Sequence, residues 1–239
     1  MVRTTDCMLV ATLSRLHREL TRFEGEENMG SSAFESVSGK VDTEFPPFHS
    51  QVNQPIELAC AWVQEAIREK VREPRAIVLT TANAQGEMSS RVMAILDFSG
   101  SGILFATHSC SRKIQDINSN SHACAHFYWK ELGRQLSVSG KVIKLPHATA
   151  RTVWEKRPIP LHAMSTVSHQ SEPLLDSDEL RRSAEALEEA GALPCPERFS
   201  VYQLVPQALE FWAASSDRLH RRLRAEYHRN EWRSAWLQP

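Results

Sequence analysis

Between residues 76 and 145 the sequence breaks into short apolar runs of strand length, each closed by turn residues. That punctuation limits the possible folds more than any other feature. Ala76–Ala82 (AIVLTTA) runs into the turn signal Asn83-Ala84-Gln85-Gly86, and Ser99-Gly100-Ser101 separates Ser89–Asp97 from Gly102–His108. Ala123–Trp129 and Gln135–Leu145 follow, the second with the polar/apolar alternation of a half-buried strand. Further strands are expected near 199–205, 207–213 and 219–237, the last with a turn at 228–230. Helices are predicted at 55–72, with Leu58, Trp62, Ile67 and Val71 along one stripe, at Arg112–Ser119, and from Pro146 to about Lys156. Another spans 177–190, with Ser177 as its expected N-cap and Gly191 as its stop. This is not the regular βαβ rhythm of a parallel sheet. It predicts a mainly β, α+β fold: a closed or nearly closed antiparallel barrel with peripheral helices.

Residues 21–53 are rich in Glu, Ser, Gly and Pro without a sustained period, and Met29 is a candidate second start. The expected division is a largely mobile N-terminal extension, 1–53, and one domain, 54–239. Lys and Arg number 28 against 29 acids, so no basic excess argues for nucleic acid or an anionic membrane, and any anion site must be local. No apolar run approaches the ~18 residues of a membrane span, and Arg15, His17, Arg18 and Glu19 interrupt the one apolar patch near the start. The five cysteines are odd in number, scattered and free of C-x-x-C, which suits unpaired thiols in a reducing cytoplasm.

Four segments carry candidate chemistry. In Thr107-His108-Ser109-Cys110-Ser111-Arg112-Lys113 a strand ends, a Ser-rich turn follows, and two cations open a helix. Free amides, the positive end of the helix dipole, the Ser111 hydroxyl, Arg112 and Lys113 make either a compact phosphate site or a solvated basic helix start. Arg91 lies among small and apolar strand residues, and needs either that same anion or a carboxylate as partner. Gln170 and Ser171 sit in a polar turn, His169–Glu172, able to bond a heterocycle edge or a phosphate, though an ordinary polar loop reads the same. After Glu210-Phe211-Trp212 comes Arg218-Leu219-His220-Arg221-Arg222; on a strand, Arg218, His220 and Arg222 share one face and call for an anion among them. The competing reading is an exposed basic strand edge. His122 and His126 lie in a strand-like run, which sets them roughly 13 Å apart and argues against a shared metal. There is no G-x-S-x-G, P-loop or G-x-G-x-x-G.

Taken in order, REPRAIVLTTANAQGEMSSRV, LFATHSCSRK, RQLSVSGKV, Arg157-Pro158, HQS, EFW, RLHRR and the final WLQP resemble the pyridoxamine 5′-phosphate oxidase family over residues 70–239. PLHAMSTVSHQSE and EFWAASSDRLHRRLR are similar above all to its phenazine-biosynthesis branch, and SSAFESVSGKVDTEFPPF resembles that branch's N-terminal lead-in. The resemblance implies a split β-barrel homodimer with one FMN in each of two clefts between subunits. By position it gives the FMN phosphate to Arg91, Arg112, Lys113 and Ser171, beside Ser111. Ala106 and Thr107 would approach the flavin from the strand end, Gln135 and Gln170 would bond its polar groups, and Trp212 and Arg222 would line the ring. Arg157, Arg218 and His220 would contact substrate, with Arg218 and His220 as the candidate catalytic pair.

The chain departs from the vitamin B6 oxidases where a substrate phosphate would sit. Their Lys is Leu96, and their Tyr and Ser are Val153 and Leu161. Each lost charge-assisted bond is worth about 1–3 kcal/mol, so pyridoxine phosphate is disfavoured. Apolar replacements suit a flatter aromatic carboxylate. The implied activity is FMN-dependent oxidation of hexahydro- or dihydrophenazine carboxylates by O2, releasing H2O2. The alternatives are the vitamin B6 oxidation itself and a non-catalytic flavin- or haem-binding split barrel.

Overall fold

The computed structural model describes residues 41–239. Helix α1 (Pro55–Arg68) precedes β1 (Ala76–Ala82), β2 (Met88–Ala94), β3 (Asp97–Ser99) and β4 (Gly102–His108). Helix α2 (Arg112–Ser119) leads to β5 (His122–Trp129) and β6 (Arg134–Lys144). Helices α3 (His147–Glu155), α4 (His162–Val167) and α5 (Ser177–Glu188) follow, then β7 (Phe199–Ala213), β8 (Arg221–His228) and β9 (Glu231–Leu237).

All strand pairings are antiparallel, in the order β2-β1-β5-β6-β7-β4-β3, with β8 joined to β7 and β9. The sheet curls until the chain itself links its two ends. β2 runs into β3 across Ile95 and Leu96, whose amides donate to the Arg75 and Leu104 carbonyls at 3.0 and 2.8 Å. The result is the nearly closed antiparallel barrel that the short, punctuated strands predict.

Several boundaries differ from expectation for identifiable reasons. Residues 199–213 form one 15-residue strand instead of two, although Pro206 lies within it. The register with β6 shifts there, Ser139 facing Ala208 and Gly140 facing Pro206, so Gln207 bulges out. A Cβ on Gly140 would collide with the Val205 carbonyl, which restricts this position to glycine. Ser89–Asp97 is divided by the corner at Ile95, whereas the turn expected at 228–230 is present, with Arg229 and Asn230 left-handed at φ 51° and 66° between two strands. The cap of α5 is Asp176 rather than Ser177, its carboxylate accepting from the Asp178 and Glu179 amides at 2.9 and 2.8 Å.

Period-two alternation turns Ile77, Leu79, Phe105, Phe127, Leu136, Val138, Leu209 and Phe211 into the barrel. The buried face of α1 is Ala59, Trp62, Val63 and Ala66; Leu58 and Ile67 of the expected stripe are only partly buried. Trp62 meets Phe211 edge-on at 5.1 Å between centroids. The buried Arg134 guanidinium lies 4.6 Å over Trp62 and donates to Glu65, to Thr43 Oγ1 at 3.3 Å and to the Glu44 carbonyl at 2.6 Å. Residues 1–40 of the expected extension lie outside the described residues. Its described part is held to the barrel: Phe45 enters the core, and the Val52 amide donates to Ser234 Oγ at 3.1 Å. A second apolar cluster joins Ala150 and Trp154 of α3 to Phe199 and Val201 of β7. Cys60, Cys110, Cys124 and Cys195 are free, and Cys7 lies outside the described residues. No helix among the described residues is long and apolar enough to cross a membrane.

Candidate active site

The inner face at the end of β1, β2 and β4 gathers most of the residues expected to hold a phosphate. Arg91 of β2 donates to the Leu79 carbonyl and Thr81 Oγ1, both at 2.9 Å, and to Ser89 Oγ at 2.6 Å. From the start of α2, Lys113 Nζ reaches Thr107 Oγ1 at 3.1 Å and Gln170 Oε1 at 2.9 Å. Thr107 Oγ1 also donates to Gln170 Oε1 at 2.7 Å and lies 3.5 Å from the buried Ser111 Oγ. The Arg112 amide, at the first turn of α2, donates to Ser171 Oγ at 3.1 Å. Ser171 has φ 77°, a left-handed conformation that bends this loop tightly. Ala106 belongs elsewhere: it packs on the Trp154–Phe199 cluster, on the opposite face of β4 from Thr107.

A buried carboxylate that the sequence reading missed organises these cations. Asp116 accepts from Thr81 Oγ1 and Ser89 Oγ at 2.7 Å each and from Arg112 Nε at 3.0 Å, with Arg91 4.0 Å away. Burial pushes its carboxyl up, but the hydrogen bonds from Ser89, Thr81 and Arg112 outweigh that and hold it below the usual carboxylate range. The i,i+4 spacing of Arg112 and Asp116 on one helix was the signal available for it. Two arginines thus share a single carboxylate, Lys113 has none, and the surplus positive charge is felt. Burial, and then the neighbouring Arg91, bring Lys113 down to about 8, and burial likewise lowers Arg91.

A second cluster lies on the outer face of the sheet. Gln135 and Trp212 are paired across β6 and β7, and Trp212 faces Arg222 of β8. With His126, Ser137 and Glu210 they line a cavity of about 230 Å³. Arg222 donates to Glu210 at 2.6 Å, so this residue is already ion-paired. That corrects the expected strand of three cations on one face. Residues 214–220 form a loop in which Asp217 accepts from Ser215 Oγ at 2.7 Å and the Leu219 amide at 2.8 Å, and Arg218 is left-handed at φ 63°. His220 ends this loop, its ring 4.8 Å from Trp212 and its Nδ1 accepting from the Ser215 amide at 3.2 Å. Arg157 lies elsewhere again, its guanidinium 5.3 Å over Phe199 and 5.7 Å over Trp154.

Residues 63–190 match the family described as pyridoxamine 5′-phosphate oxidase, and residues 199–239 match the pyridoxine 5′-phosphate oxidase C-terminal dimerisation region. The chain belongs to the pyridoxamine 5′-phosphate oxidase family. Among relatives, it is 44% identical over 212 residues to a dihydrophenazinedicarboxylate synthase of Burkholderia lata, covering 88% of this chain and all of that one. It is 38% identical to another from Pseudomonas chlororaphis, over 90% of this chain and 97% of that one. The crystal structure of PhzG from Burkholderia lata in complex with tetrahydrophenazine-1-carboxylic acid matches with a TM-score of 0.81 at 44% identity, over 84% of this chain and all of that one.

Within this oxidase family the departures at Leu96, Val153 and Leu161 have clear structural settings. Leu96 and Leu161 are exposed, at 37% and 48%, and Val153 packs against the Trp154–Phe199 cluster below Arg157. None of the three offers a side-chain donor.

Proposed function

We propose that this oxidase binds FMN and uses it to oxidise partly reduced phenazine carboxylates, O2 taking the electrons and leaving as H2O2. The observation that carries this reading is the convergence of half-buried Arg91, buried Lys113 and the more exposed Arg112 at the start of α2, with Asp116 pairing the two arginines. Its donor set fits a phosphate dianion: a forked guanidinium, an ammonium at a helix start, and hydroxyls of Ser111 and Ser171 close by. The apolar side chains at 96, 153 and 161, and the names of the two relatives, favour a phenazine carboxylate over a phosphorylated pyridoxine.

Held there, FMN would supply a two-electron acceptor that oxygen can reoxidise. The chain supplies position and charge. Arg91, Arg112, Lys113 and Ser171 hold the phosphate, Gln170 and Thr107 orient its neighbours, and Gln135, Trp212 and Arg222 line the ring from the outer face. Because the two groups lie on opposite faces of one sheet, a site using both draws them from different subunits of a homodimer, in keeping with the dimerisation region at 199–239. Arg218 and Arg157 are the cations for the substrate carboxylate. The Ser215 amide occupies His220 Nδ1, which keeps the neutral ring's proton on Nε2 as a donor toward that carboxylate. Residues 54–239 form the catalytic domain, and a reducing cytoplasm suits its free thiols.

Purified protein should be yellow and consume oxygen when given a dihydro- or hexahydrophenazine carboxylate. Oxygen uptake with pyridoxine phosphate and none with the phenazine would favour the vitamin B6 reaction, and a flavin-bound protein inert to both would favour a binding role. Aromatisation drives much of the step, so His220→Ala should lower kcat/KM by about 10-fold, the value of one lost hydrogen bond. Abolished turnover with FMN still bound would instead give His220 an indispensable proton-transfer role.

A further inference from the structure

Beside the cation cluster, but using none of its side chains, three metal-ligating groups of different softness converge. Cys110 Sγ, a His169 ring nitrogen and a Glu172 carboxylate oxygen all lie within 4.8 Å of one another. His169 Nδ1 is 3.5 Å from Glu172 Oε1, and the Glu172 amide donates to the His169 carbonyl at 3.1 Å, so the turn already presents both side chains together. Zinc bonds of about 2.0–2.3 Å place tetrahedral ligands about 3.3–3.8 Å apart. The exposed His169 and Glu172 side chains therefore need a contraction of only about 1 Å, within the reach of rotamer changes. Access is open: Cys110 and His169 line a cleft of about 760 Å³ with Ser109, Thr166, Cys195 and Arg198. Arg198 is engaged there, donating to the Ser168 and Thr166 carbonyls.

We propose that Cys110, His169 and Glu172 bind a soft divalent cation, Zn2+ by its preference for thiolate and imidazole, with water as fourth ligand. The placement gives the site a consequence. Cys110 immediately precedes Ser111–Lys113, while His169 and Glu172 flank Gln170 and Ser171. A bound ion joins the turn to the start of α2 and reinforces the Gln170–Lys113 and Ser171–Arg112 contacts. Zinc therefore closes the loop over the phosphate cradle and slows flavin release, a consequence that rests on the FMN reading above.

Calorimetric titration of the flavin-loaded protein with Zn2+ tests the site itself. One site per chain is expected, with affinity lowered about 100-fold or more in Cys110→Ser and in His169→Gln, since even supporting hydrogen bonds around a metal are worth 10–100-fold. Co2+ in the same protein should give ligand-field absorption to the red of the flavin bands, absent from both variants. Zinc binding of unchanged strength in either variant overturns the site. FMN release is then followed by fluorescence with Zn2+ or with chelator: slower release with the metal supports the closure, and equal rates overturn it while leaving the calorimetric result intact. A protein that never retains FMN contradicts the cofactor reading alone, because the calorimetry can be run without flavin.

Discussion

Lys113→Met is expected to raise the FMN dissociation constant by about 10- to 100-fold, the value of one charge-assisted hydrogen bond in a buried setting. Titration of flavin fluorescence at neutral pH measures it directly. The pH dependence is the sharper test. Burial, then Arg91, bring the Lys113 ammonium from its ordinary 10.5 down to about 8 in the flavin-free protein. A phosphate favours the charged form and draws that value up again, so affinity should be full between the phosphate's own second pKa of about 6 and pH 8, and fall as the pH rises past 8. The flavin-free protein responds in the opposite direction. Between about 8 and 10.5 its unfolded chain binds the extra proton, so the Lys113 contribution to stability increases with pH. In Lys113→Met both trends should flatten. An affinity that ignores the substitution would remove Lys113 from the phosphate site.

Asp116→Ala should show the converse electrostatics. Its carboxylate is buried, takes hydrogen bonds from Thr81, Ser89 and Arg112, and stands 4.0 Å from Arg91. Removing it leaves cations facing one another without compensation, at a cost of about 3–5 kcal/mol in unfolding free energy. A phosphate at the same cations restores negative charge, so the deficit should shrink in saturating FMN once the ordinary gain from ligand binding is subtracted. Urea unfolding of both proteins with and without flavin reads this out. An identical deficit in the two conditions would place the phosphate away from Arg91 and Arg112.

The barrel and half of the site were legible because they follow local rules. Turn residues punctuate short alternating runs, and a strand that ends in Ser-rich turn and Arg112-Lys113 marks a helix start suited to an anion. Where the reading failed, a long-range partner decided the outcome. Pro206 looks like a strand breaker until Gln207 bulges out beside it against β6, and that requires knowing that Gly140 lies opposite. Arg218 looks like a strand cation until Asp217 captures the Ser215 hydroxyl and the Leu219 amide and turns the chain into a loop. Beyond the i,i+4 pairing of Asp116 with Arg112, the role of Asp116 and Glu210 comes from Arg91 and Arg222, brought to them by neighbouring strands.

The long strand β7 has a consequence for inheritance as well as geometry. It pairs with β4 through Phe199–Leu204 and with β8 through Ala208–Ala213, so one stiff ribbon carries the chain from the strand that bears Thr107 to the Trp212–Arg222 wall. If each cleft borrows one element from either subunit, defects in the two elements are complementary. Co-expressed chains, one disabled at Lys113 and the other at Arg222, would rebuild one undamaged cleft in every mixed pair and concentrate both lesions in its twin. Two chains injured in the same element have no such rescue.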